Sequence, residues 1–213
     1  MLVGDIISKN VMTIRAKDDV KKVFELMKTK NIRHIPVLDN GKLTGIVTDT
    51  DLRQVLISSK SEGSEQTYYF TSKYSTVEEI MTKDPVTVTP QTDVEDAARL
   101  LQKYKIGGLP VVEGNELVGM ITETDIMGVL IEILGVIKYS SKIDVVLGED
   151  PNAFQNVSRI IRESGAEIIS IGMSPQDEKE ERVHYFRLDT DNIDLVAEAI
   201  EDNGYEVISS VNG

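Results

Sequence analysis

A chain of 213 residues with 40% hydrophobic side chains is long enough for one to three domains with true cores, and too apolar to be disordered. It has no cysteine, which excludes disulfides, cysteine-rich zinc sites and a cysteine nucleophile. A formal net charge of −13 repels nucleic-acid phosphates and anionic membranes, so neither is an expected partner.

The charge is uneven. Residues 1–56 hold ten Lys+Arg against seven Asp+Glu, residues 77–130 four against ten, and residues 138–213 seven against sixteen. The first stretch is therefore a weakly basic island on an acidic protein, and it favours an anionic small ligand. The longest apolar run, Ile126 to Ile137, is interrupted by Glu132 and falls short of the roughly 20 residues a membrane span needs. Patterned sequence begins within the first ten residues, with no signal peptide, so a cytoplasmic protein is expected.

A gapless repeat comes first along the chain. Shifted by 74 positions, residues 3–56 overlie 77–130 with 17 identities in 54 pairs, among them Pro36/Pro110, Gly45/Gly119, Thr48/Thr122 and Asp51/Asp125. Each copy is predicted to be β-α-β-β-α. A short strand (Val11 to Arg15; Val86 to Thr89) precedes a helix with one apolar stripe: Val20, Val23, Phe24 and Met27 in the first copy, Val94, Ala97, Ala98 and Leu101 in the second. Thr92 and Glu95 have capping-box spacing. Two strands follow, joined by Asn40-Gly41 in one copy and Gly114-Asn115 in the other. A second helix begins near Asp49 and near Glu123. About 54 residues make a marginal core, so the copies are expected to pack together.

The IPV and LPV segments, the GIVTDTD and GMITETD runs, and the openings SKNVMTI and TKDPVTV resemble the CBS domain, the module named after cystathionine β-synthase. The resemblance covers about residues 1–130. It implies an intramolecular pair with two clefts, an adenosyl ligand such as AMP, ADP, ATP or S-adenosylmethionine, and a homodimer. No cofactor is required; magnesium is expected only where ligand phosphates bridge it.

In each copy a strand runs into a helix at the Thr-x-x-Asp motif, and free N–H groups at a helix start favour an anion. The resemblance gives Asp51 and Asp125 to the ribose and Thr48 and Thr122 to the phosphates. Candidate adenine walls are Met12, Thr13, Ile14 and Ile35 in one cleft, and Val86, Thr87, Val88 and Leu109 in the other. Arg33, His34 and Arg53 are assigned to the Asp51 cleft, which makes it the expected site for a charged nucleotide; the second copy has Gly107, Gly108 and Met127 at those places. Threonine and aspartate at a helix start are equally ordinary caps, and a purely structural dimerisation module is the alternative.

The connector, residues 61–75, is polar and reads as a loop, with Tyr68, Tyr69 and Phe70 either capping the core or meeting a ligand or second subunit. Domain bounds are set at 1–60, 76–136 and 138–213. The last segment reads as strand Lys142–Leu147, helix Asn152–Ser164, strands 166–173 and 183–189, helix Asn192–Asn203 and strand 205–211. This β-α-β-β-α-β order suits a ferredoxin-like sheet. With the segment DPNAFQNV it resembles an ACT domain, which implies a dimerisation and relay element or an amino-acid site; that family often has glycine where Asn152 stands. The CBS–CBS–ACT order resembles the AcuB-like proteins of acetoin utilisation. No P-loop, GxGxxG or GxSxG run occurs, and His34 and His184 are isolated, so a non-catalytic regulator acting on an unknown target protein is expected.

Overall fold

The computed structural model describes residues 1–59, 67–70, 75–136, 139–174 and 182–213, with backbone alone at 56–59 and 67–70. It comprises two compact units, Met1–Ile126 and Met127–Gly213.

The first unit holds both repeats. After helix α1 (Val3–Ile6), helix α2 (Val20–Lys30) opens on Asp19, whose carboxylate accepts from Lys21 N at 2.8 Å, and ends at Asn31 in the left-handed region. Strands β1 (His34–Asp39) and β2 (Lys42–Thr48) form a hairpin. Its turn residues Asn40 and Gly41 both have positive φ, 49° and 80°, as a type I′ turn requires. Helix α3 is Asp49–Gln54. Strands β3 (Leu56–Ser59) and β4 (Thr67–Phe70) come next, and the second repeat follows with a 3-10 turn (Val77–Glu79), strand β5 (Thr82–Lys83), helix α4 (Val94–Tyr104), strands β6 (Gly108–Glu113) and β7 (Glu116–Thr122), and helix α5 (Glu123–Ile133), whose residues from Met127 on fall in the second unit. One sheet runs β1-β2-β7-β6, with β5 paired to β2.

The repeats exchange their leading segments. Val3, fully buried, joins the second repeat's core of Val88, Val94, Leu101 and Leu109. Val77, also fully buried, joins the first repeat's core of Val20, Val23, Ile35 and Leu52. Backbone bonds fix both exchanges: Val3 N to Thr92 O at 2.8 Å, and Val77 N to Asp18 O at 3.0 Å.

Two sequence expectations are corrected in this unit. The segments read as strands at 11–15 and 86–89 each make a single parallel bridge, Ile14 with Val37 and Val88 with Val111. The next rung would need the N–H of Pro36 or Pro110, and proline has none, so the ladder stops. The expected Thr92–Glu95 box is absent; Asp93 is the N-cap of α4, and the Thr92 hydroxyl accepts from Thr89 N at 3.0 Å. Strand β3, just before the connector, pairs with β4 inside it as an antiparallel ribbon, where the composition predicts a loop. The roles read for Tyr68, Tyr69 and Phe70 lie outside the described side chains.

The second unit has strand β8 (Ser141–Val146), helix α6 (Ala153–Glu163), strands β9 (Glu167–Met173) and β10 (Val183–Asp189), helix α7 (Ile193–Asp202) and strand β11 (Glu206–Val211). The sheet is antiparallel throughout, in the order β11-β8-β10-β9. Val157, Ile160 and Ile161 of α6 and Ile193, Val196 and Ile200 of α7 share one core with Ile143, Val145, Phe186 and Leu188, so both helices cover the same face. Asn152 has φ −95°, a conformation that needs no glycine. Among the described residues no helix is long and apolar enough to cross a membrane.

Candidate functional site

The two Thr-x-x-Asp motifs have the same geometry. Each threonine is the last residue of a strand and stands immediately before a helix, β2 to α3 and β7 to α5. Asp51 Oδ2 accepts from Thr48 N at 2.8 Å and from Thr48 Oγ1 at 2.7 Å, while Asp51 N donates to Thr48 Oγ1 at 3.3 Å. Asp125 and Thr122 repeat this with the same three distances. These are reciprocal capping boxes. Capping and ligand binding do not compete here. The box uses Oδ2 alone, and among the described residues Oδ1 of neither aspartate has a partner. The cap holds each half-buried carboxylate with one oxygen ready to accept.

The Thr122–Asp125 motif opens on a cleft of about 350 Å³, within the range of small-ligand sites. Its walls come from both repeats: Ser8, Asn10, Val11, Met12 and Asn31 to His34 from the first, and Met120, Thr122, Thr124 and Asp125 from the second. The segment around Ser8 reaches this position through a bridge to Met120, and Gly119 lets it approach, since a Cβ there would lie 3.1 Å from Ser8 O and 2.7 Å from the Ile7 side chain. Arg33 donates to Thr124 Oγ1 at 3.5 Å.

The Arg33 side chain therefore reaches across to the other repeat. Arg33 and His34 line the Asp125 cleft, but they also adjoin the motif of their own repeat: His34 pairs with Thr48 in the β1–β2 hairpin, and Arg33 O accepts from Asp49 N at 3.0 Å. By the repeat relation, Asp84 to Val86, Gly107 and Gly108 hold in the second copy the places of Asn10 to Met12, Arg33 and His34 in the first. A Cβ at Gly107 would lie 2.9 Å from His34 Nε2, and one at Gly108 3.3 Å from His34 Cγ, so the imidazole fills what those glycines leave open. Arg53 is exposed and paired with Asp49 at 2.8 Å along α3. Arg33 is the arginine that lines the Asp125 cleft.

His34 is held below the ordinary histidine value, first by burial and then by the Arg33 charge; Asp49, Glu123 and Asp51 pull it part of the way back. Of the expected adenine walls, Met12 lines the cleft. Ile14, Ile35, Val88 and Leu109 turn their side chains into the repeat cores, and Thr13 and Thr87 are exposed. Val86 packs at the edge of the second core. Ser8, Asn10, Asn31 and Thr124 also line the cleft, and all four lie outside the strand segments that the sequence marks. Among the described residues no group of three or more His, Asp or Glu is placed to hold a metal.

The CBS-domain model matches residues 3–58 and 77–132, just over half the chain. The chain belongs to the CBS-domain family. A CBS domain-containing protein of Dictyostelium discoideum is 32% identical over 136 residues, covering 63% of this chain and 94% of its own length. The inosine-5'-monophosphate dehydrogenase of Korarchaeum cryptofilum is 35% identical over 121 residues, 56% of this chain, but the match spans only 22% of that enzyme. Among solved structures, the CBS pair of protein MJ0100, in complex with 5'-methylthioadenosine and S-adenosyl-L-methionine, aligns with a TM-score of 0.52 at 30% identity, covering 61% of this chain and 95% of that one. CBSX2 in complex with AMP gives 0.51 at 27%, covering 62% and 97%. A Vibrio cholerae protein assigned to acetoin utilization, AcuB, gives 0.52 at 32%, covering 64% and 94%. CBS pairs of this kind are regulatory modules and not catalytic ones.

Proposed function

We propose that this protein is an adenosyl-ligand sensor whose principal site is the Asp125 cleft. The observation that carries the reading is a pre-set carboxylate oxygen on a cleft of about 350 Å³ that also holds Arg33 and His34. Asp125 Oδ1 accepts from the ribose hydroxyls. The adenine lies against Val11 and Met12. Arg33 and, when protonated, His34 meet the phosphates through charge-assisted bonds, with magnesium bridged by those phosphates where the ligand brings it. The complexes of MJ0100 with adenosyl compounds and of CBSX2 with AMP support this ligand class. The Asp51 motif, for which the repeat relation supplies Asp84 and two glycines, takes a less anionic adenosyl group such as S-adenosylmethionine or stays empty.

Occupancy favours one arrangement of the repeats over another only as far as the ligand binds it more tightly. Helix α5 begins at the ligand motif, and its later residues belong to the second unit. It is the natural carrier of the change. The second unit acts as an ACT-like relay and pairing element in a cytoplasmic homodimer of the AcuB type, read by a target protein.

The test is a thermal-shift and calorimetric screen with AMP, ADP, ATP, S-adenosylmethionine and GTP, on wild type, Asp51→Asn and Asp125→Asn. An adenine-specific response lost in Asp125→Asn is expected. No response to any of them would leave the motifs as helix caps and the protein as a structural module.

A further inference from the structure

The second unit carries a hollow that the adenosyl site does not involve. Phe186 and Ile143 point into the helix-covered core, so their neighbours Tyr185, Arg187, Lys142 and Asp144 stand on the opposite face of the sheet. There the register sets Lys142, Arg187 and Ser170 side by side across β8, β10 and β9, and Asp144, Tyr185 and Gly172 in the next row. Leu134 and Val136 wall a cavity of about 300 Å³ over these residues.

Two cations directly opposite one another on adjacent strands destabilise a sheet unless something answers their charge. Lys142 is answered: its Nζ lies 2.8 Å from Asp144 Oδ2. Arg187 is not. Its guanidinium donates to Ser140 Oγ at 3.1 Å and to Ser140 O at 3.4 Å, and among the described residues it forms no ion pair. The trio of Lys142, Arg187 and Asp144 thus carries one net positive charge, within a segment (138–213) that has sixteen acidic residues against seven basic. The surrounding walls are apolar: Leu134, Val136 and Tyr185 are 44%, 48% and 37% exposed.

We infer that this hollow binds a small monocarboxylate with an apolar tail. One unpaired guanidinium accommodates one negative charge, and its planar fork matches a carboxylate in a two-bond geometry. The tail lies over Gly172 between Tyr185 and Val136. Gly172 leaves that floor open, since a Cβ there would meet only the Tyr185 side chain at 3.8 Å.

Isovalerate and benzoate are the probes, titrated into the full chain by calorimetry with acetate, isoamyl alcohol and inorganic phosphate alongside. Both probes bind wild type, and acetate, the alcohol and phosphate bind far more weakly. Arg187→Gln binds about tenfold weaker or worse. Gly172→Leu, which alters no charge and fills the floor, blocks binding and keeps the inference testable should Arg187→Gln fail to fold. Asp125→Asn leaves the carboxylate response intact, so this site stands or falls apart from the adenosyl one. No binding of either probe, unchanged binding in both variants, or phosphate binding as well as benzoate would each overturn it.

Discussion

Asp125 has two tasks on two oxygens, and substitutions can separate them. Asp125→Ala removes the box as well as the free acceptor. It is expected to cost about 1 kcal/mol of stability without ligand, and to abolish the adenosyl response. Asp125→Asn keeps one carbonyl oxygen for the cap and loses the second acceptor, so it melts close to wild type yet fails to respond to ligand. Denaturant unfolding beside ligand titration checks both outcomes.

His34 supplies a pH signature. Its folded value lies below the ordinary 6.5, so between the two values the unfolded chain binds more protons. Its neutral form is accommodated fully above about pH 6.5, and stability falls as pH drops from there towards the folded value. His34→Gln should flatten that decline. His184 is also held low, by burial first, so the difference between wild type and the variant isolates His34. A polyphosphate bound beside His34 would favour the imidazolium, so binding takes up protons at pH values above the lowered value of the free protein. Calorimetry in buffers of different ionisation heats measures that uptake, and cationic S-adenosylmethionine should not produce it.

At the scale of elements, the exchanged leading segments explain two glycines that a repeat pattern alone leaves unexplained. Gly45 lies against β5 as Gly119 lies against Ser8; a Cβ at Gly45 would come within 2.9 Å of Thr82 O, a backbone atom with little room to yield. Gly45→Ala is expected to cost about 1–3 kcal/mol. Gly128, within α5 and with nothing within 4 Å of its added Cβ, should behave oppositely: Gly128→Ala gains roughly 0.5–1 kcal/mol from helix propensity. Paired denaturant melts decide both signs. The arginines separate in the same way. Arg33→Ala should weaken ATP more than adenosine, whereas Arg53, exposed and held by Asp49, should matter little to either. An equal effect of the two substitutions on ATP would contradict the assignment of charge to the Asp125 cleft.

At the scale of the molecule, the two units have separate cores, and scanning calorimetry should resolve which one a ligand stabilises. An adenosyl ligand at 100 times its dissociation constant adds about 2.7 kcal/mol to the unit that binds it, and moves that unit's transition first. The division is also where sequence and structure part company. Periodicity and glycine exits marked the described helices and strands between residues 138 and 213 to within about two residues, because those signals are local. The 74-residue shift likewise disclosed the repeat, its hairpins and its Thr-x-x-Asp caps, each written in a few neighbouring residues. What the sequence could not assign was partnership. Residues 33 and 34 sit in the first repeat by number and next to Thr48 and Asp49 of that repeat, yet they also line a cleft with Thr122 and Asp125 of the second, because the leading segments cross over and the clefts form between copies. The row of Lys142, Arg187 and Ser170 is likewise a matter of register between strands far apart in the chain. Local chemistry determined the elements and their caps; only the packing of one repeat on the other, and of strand on strand, decided which charges share a site.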